Sequence, residues 1–285
     1  MSAKGNGAVP VSTRSLVILG SGYTARFLWP LVSGRLPTAF ATSRASEQHL
    51  PYVAPAQRLR FDLTNTETWT NIPREADVIW CFPAEPVELV RRFIDSRGAT
   101  PRRLVVLGST SAYNRAAETS EYPPPWIDES APIDHSQPRV QGEEWLRTEQ
   151  GAIVLRVAGI YGPGRNPLDW IAQGRVGASR KYVNLIHVDD LARTCLHTLE
   201  SGTPGEVYNV SDGIPRTWRD ICRVAEERWH ITPTQKTDRP DAGKRIANSK
   251  LTQNLGYSIR HPDLLAELDR LNQAHLSAND RGRTN

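Results

Sequence analysis

The chain has 285 residues, 39% of them hydrophobic and 23% charged, with a formal net charge of +4. That supplies the core of one large α/β domain, or of a domain with a smaller lobe. No apolar run nears the ~20 residues that span a bilayer. The basic residues are scattered rather than interleaved with aromatics, which argues against a nucleic-acid surface. The cysteines Cys81, Cys195 and Cys222 are spaced for neither a disulfide frame nor a zinc site.

Residues 1–14 are polar and read as a flexible leader, and the apolar run after them is too short for a signal peptide. With the unpaired cysteines, this gives a cytoplasmic expectation. The run Leu16-Val17-Ile18-Leu19 predicts a strand over 15–19, buried on both faces. A helix over 24–32 follows. Further strands are predicted over 39–43, 58–62, 77–82, 103–107 and 153–157, with helices over 86–96 and 139–147 between them. Pro138 disfavours a helical register through its own segment. The alternation predicts an α/β fold, a doubly wound parallel sheet with helices on both faces. A dinucleotide-binding domain is expected over 15–161, and a smaller, partly interleaved substrate lobe over 162–276.

From Gly162 to Val183 the sequence reads as a long loop. Helices are predicted over 188–200 and 215–229, the second opened by a capping pair, Thr217 and Asp220. Trp218 and Trp229 fall on its apolar stripe and read as core. The polar residues 277–285 read as a flexible tail.

Chemistry concentrates in Gly20-Ser21-Gly22-Tyr23-Thr24-Ala25, between the first strand and the first helix. One glycine makes the tight turn, the second admits a pyrophosphate to the backbone, and a small third residue lets helix and strand pack closely. The helix start, with Tyr23 and Thr24, offers free amides to phosphate. At the end of the second strand, where an NAD site usually carries an acid, stand Ser43 and Arg44. These suit a 2′-phosphate, so NADP is the expected cofactor ahead of NAD. No metal site is expected.

Six segments in order carry a resemblance. They are the glycine turn, Phe61-Asp62-Leu63, the stretch from Leu107 to Tyr113, the stretch from Arg156 to Arg165, Ile186-His187-Val188-Asp189-Asp190-Leu191-Ala192, and the stretch from Gly205 to Val210. Together they resemble the atypical extended short-chain dehydrogenase/reductase superfamily, its NAD-dependent epimerase/dehydratase-like branch, over about residues 15–270. The resemblance implies a Rossmann fold with Asp62 and Leu63 beside the adenine and Phe82, Pro83 and Ala84 along the nicotinamide ribose. It places Ser109 on the catalytic Ser/Thr and turns Arg165, His187 and Arg245 toward substrate.

One departure stands out. Superfamily enzymes carry a Tyr-x-x-x-Lys pair, and anchoring on Glu143 puts His135 and Arg139 at those places. Arg139 keeps a charge that can hold ribose hydroxyls but yields no proton. An imidazole, with its ordinary pKa near ~6.5, suits a general acid at neutral pH, so His135 is a candidate proton donor, with Tyr113 and Tyr161 as others. Two classes stay open: an NADPH-dependent oxidoreductase, epimerase or dehydratase for a polar, sugar-nucleotide-like substrate, or a cofactor-binding sensor or assembly protein without turnover. The expected partner is a small-molecule substrate, with neither nucleic acid nor membrane; a homodimer is compatible with this reading.

Overall fold

The computed structural model describes residues 15–283 except 35, 37, 99–100, 115–118 and 235–241, and no side chain after 274. The expected leader at 1–14 and residues 284–285 of the expected tail lie outside the described residues. The first half runs β1 (Leu16–Leu19), α1 (Tyr23–Ser33), β2 (Ala39–Ser43), α2 (Ser46–His49), β3 (Arg58–Arg60), β4 (Asp77–Trp80), α3 (Val87–Ser96) and β5 (Leu104–Ser109). Next come β6 (Trp126–Ile127), α4 (Pro138–Gln150), β7 (Ile153–Val157), β8 (Gly159–Tyr161), α5 (Pro167–Ala172), β9 (Tyr182–Val183), β10 (Leu185–His187) and α6 (Val188–Ser201). The chain closes with β11 (Val207–Val210), β12 (Arg216–Thr217), α7 (Trp218–Trp229), β13 (Arg245–Ile246) and α8 (Leu264–Arg283).

Seven strands form one sheet in the order β11-β7-β5-β4-β1-β2-β3, every pairing parallel. Alternate side chains leave each strand on opposite faces. Leu16 and Ile18 pack with Leu28, Leu191 and Cys195 under α1 and α6. Val17 and Leu19 pack with Trp80, Phe93 and Leu146 under α3 and α4. Strand order reverses at β1, flanked by β2 and β4, which opens a crevice at the carboxyl ends of these strands. The doubly wound parallel sheet is the expected one.

Two local expectations are corrected. Pro138 does not break a helix; it opens α4 from the first turn, where no amide hydrogen is needed. The segment from Gly162 to Val183 is not all loop, since Asn166 caps α5 by accepting the Leu168 amide at 3.0 Å. A separate apolar cluster joins Tyr161, Leu168, Leu185, Ile221 and Leu264, while β11 returns to the main sheet beside β7. Among the described residues no helix is long and apolar enough to cross a membrane.

Candidate functional site

The turn after β1 is built for close backbone approach. Gly20 has φ +102°, a conformation that favours glycine, and its amide donates to Thr42 Oγ1 at 2.9 Å. Gly22 caps α1 without a side-chain bond, no acid stands in the first turn, and a Cβ added there would meet nothing within 4 Å. The helix therefore opens without a side-chain cap or a nearby acid, with its positive end at the turn. Ala25 is buried against the sheet, as the tight packing requires.

This turn forms one wall of a cavity of about 510 Å³, lined also by Ser43, Arg44, Asp62, Leu63 and Phe82. Ser43 Oγ lies 2.7 Å from His49 Nδ1 and accepts the Ala45 amide at 3.3 Å. The Asp62 carboxylate accepts from the Thr64 amide at 2.9 Å and its hydroxyl at 2.8 Å. The amide bond, then the hydroxyl bond and the charges of Arg44 and Arg60, hold it below the usual carboxylate value. Phe82 turns its ring to Gly20 and packs 5.0 Å from Trp80, centroid to centroid. Ala84 behaves differently: it is fully buried, with its carbonyl against Gly142 of α4. Sequence reasoning missed Arg26, His49, Phe61 and Glu85, which also line the cavity. Arg26 is one helical turn past the glycines, and α2 brings His49 back to Ser43. Neither carries a local motif.

Ser109 ends β5 and caps the 3-10 turn Thr110–Tyr113, its Oγ accepting the Ser111 amide at 3.1 Å. Lys244 reaches this turn from far along the chain, donating to Thr110 O at 3.0 Å and Asn114 Oδ1 at 2.6 Å. Tyr113 is fully buried. Its hydroxyl donates to Asn209 Oδ1 and accepts from Arg156 Nη1, each at 2.8 Å, and burial raises its pKa. Arg139 Nε donates to Glu143 Oε1 at 3.0 Å. Glu143 is buried against Gly108, and that burial raises its carboxyl above the ordinary value while Arg139 pulls it back.

On the other side of the glycine turn, Tyr23 donates to Pro163 O at 3.0 Å and Arg165 lies 5.0 Å over its ring. Burial pushes the Tyr23 hydroxyl up to about 12, against the charge of Arg165. A Cβ on Gly162 would meet both Tyr23 Oη and His187 Nε2, so this glycine lets the two approach. His187 caps α6 through Nδ1, which accepts the Asp189 amide at 3.3 Å, and stacks 4.0 Å from His261. His261 lies between Asp189 and Glu267, at 3.4 and 3.0 Å. Donor atoms of His187, His261 and Glu267 fall within 4.8 Å of one another, a spacing able to hold a metal ion, although the cap occupies one His187 nitrogen. Arg245 sits apart from these, donating to Pro124 O at 2.7 Å and lying over Trp126.

No protein-family model matches the chain. A segment of 185 residues, 63% of this chain, is 27% identical to Protein YeeZ of Escherichia coli strain K12, and the match spans 66% of that protein, just under two thirds. A solved structure of a candidate NAD-dependent epimerase/dehydratase from Methylobacillus flagellatus is 25% identical, with a TM-score of 0.75 over 93% of this chain and 99% of that one. A short-chain dehydrogenase/reductase superfamily protein from Agrobacterium tumefaciens, solved with NAD bound, is 13% identical with a TM-score of 0.77 over 95% and 100%. The chain has the fold of the NAD-dependent epimerase/dehydratase-like short-chain dehydrogenase/reductases.

Within this short-chain dehydrogenase/reductase fold, His135 and Arg139, the residues expected at the Tyr-x-x-x-Lys places, stand in different local settings. Because α4 begins at Pro138, His135 lies on the turn before the helix, not one turn ahead of Arg139 on its face. His135 is exposed and lines a second cavity of about 410 Å³ with Glu144, Arg147 and Arg156. The two cavities share no lining residue.

Proposed function

We propose that the chain binds NADP along the glycine turn and serves as an NAD(P)-dependent oxidoreductase or epimerase for a polar, sugar-nucleotide-like substrate. One observation carries the reading: Gly20, Gly22, Ser43, Arg44, Asp62 and Phe82, from four separate strand ends, line a single cavity at the switch point of the sheet. The residues fit such a cofactor, since the space a Gly22 Cβ would enter is open and the helix that starts there has no side-chain cap. The amides opening α1 would hold the pyrophosphate, and Asp62 with Leu63 the adenosine. Arg44 and Arg26, beside the Ser43–His49 pair, would hold a 2′-phosphate. The nicotinamide, when bound, supplies the hydride chemistry.

The chain's own part in the reaction is to hold and protonate. Ser109 ends its strand with its hydroxyl hydrogen uncommitted to the turn it caps, and would donate it to the reacting oxygen. Arg165 and His187, flanking the glycine turn, would position the substrate. Titrating NADPH and NADH into wild-type protein and Arg44→Ala tests cofactor choice. The wild type is expected to prefer NADPH by about 10-fold or more, and the variant to lose that preference. Tighter NADH binding overturns it.

A specific observation favours the alternative, a cofactor-binding protein without turnover. Tyr113 and Arg139 are both engaged inside the fold, which leaves the usual proton relay unfilled. NADPH oxidation over a panel of nucleotide sugars separates the readings. Ser109→Ala is expected to keep cofactor affinity and lose turnover, and His135→Phe to keep both. Equal turnover in wild type and Ser109→Ala removes Ser109 from the chemistry.

A further inference from the structure

Away from the glycine turn, a cavity of about 400 Å³ lies between the 3-10 helix Thr66–Asn71, the segment leading into β4 and the last turn of α3. Its charged lining is Arg74, Arg92 and Arg97, and no carboxylate is among the described residues that line it. Arg97 is the telling group, with only 3% of its surface exposed. Its Nη2 donates to Pro73 O at 2.9 Å and Arg74 O at 2.7 Å. Its Nε and Nη1 are buried with no hydrogen-bond partner.

Buried guanidinium donors without an acceptor are costly, and native structures leave few of them. The charge acting on Arg97 makes matters worse: it is Arg74, of like sign. Burial first, then that repulsion, pulls the guanidinium below its ordinary value. Arg92 closes the group, 6.0 Å over the Trp69 ring.

We infer that this cavity binds a phosphate-type dianion. Planar guanidinium forks match phosphate oxygens two at a time, and an anion held by the exposed Arg74 and Arg92 offsets the charge of Arg97, which lies buried behind them without a carboxylate. The cavity holds more than an inorganic phosphate, so the group can be free phosphate or the phosphate end of a small metabolite.

Arg97 also braces two carbonyls, so its removal threatens folding. The exposed pair Arg74 and Arg92 gives the cleaner variant. Inorganic phosphate is titrated calorimetrically into the full chain in chloride buffer, into Arg74→Ala/Arg92→Ala, and into Gly22→Val, which fills the glycine-turn cradle instead. The expected result is saturable binding, weakened about 10-fold or more in the arginine variant and unchanged in Gly22→Val. Absence of saturable binding, equal affinity in the arginine variant, or loss in Gly22→Val overturns the assignment. Glycerol 3-phosphate binding tighter than phosphate, with the same variant pattern, supports the site and names a phosphomonoester as its occupant. Equal or weaker binding with that pattern supports the site and names free phosphate.

Discussion

Gly142 lies where α4 crosses the Ala84 carbonyl, and a Cβ there would overlap that oxygen. Replacing an interior helix glycine with alanine ordinarily gains up to ~1 kcal/mol. Here Gly142→Ala is expected to lose about 2 kcal/mol, since the helix must move off the strand end. Denaturant midpoints of the two proteins check this, and a stabilised variant contradicts the packing. His187 gives a pH-dependent counterpart. Burial, then the neighbouring His261, hold its imidazole below the ordinary 6.5, with Glu267, Asp190 and Asp189 opposing. The unfolded chain therefore takes up the proton first as pH falls. Stability from neutral His187 is full above pH 6.5 and declines as pH drops toward the lowered folded value. Thermal unfolding at pH 7.5 and 5.5 should show a smaller pH loss in His187→Asn, which keeps a capping acceptor.

At the scale of elements, caps and short contacts decide what local sequence reveals. Thr217 caps α7 as its spacing predicts, accepting the Asp220 amide at 3.1 Å. Thr217→Ala is expected to cost about 1 kcal/mol in unfolding free energy, while Thr217→Ser loses far less. Strands β2 and β7 match their predicted spans, each opening on a run of three apolar residues. Strand β11, Val207-Tyr208-Asn209-Val210, escaped the strand reading because its apolar run is interrupted at the third residue by polar Asn209, which is held from inside by Tyr113 and Ala247. Helix α5 escaped because six residues show no period. The glycine turn was legible because its requirements are local. Arg26, His49 and Lys244 were not, because folding alone brings them to their neighbours. The setting of His135 was not legible because it turns on Pro138, whose role depends on whether it stands inside a helix or opens one.

Across the whole molecule, the strand order puts one crevice at the reversal beside β1, and the Tyr23–Pro163 bond ties the segment after β8 to the turn that opens it. The glycine turn and the loop after β8 are thus joined, although their residues lie far apart in sequence. This crevice is the pyridine-nucleotide site proposed for the chain. Fluorescence titration of NADPH into wild type and Gly22→Val tests it, since a Cβ at position 22 meets nothing within 4 Å. The prediction is saturable binding in the wild type, lost in the variant at an unchanged unfolding midpoint. No saturable uptake of either NADPH or NADH, or equal affinity in the two proteins, would contradict it.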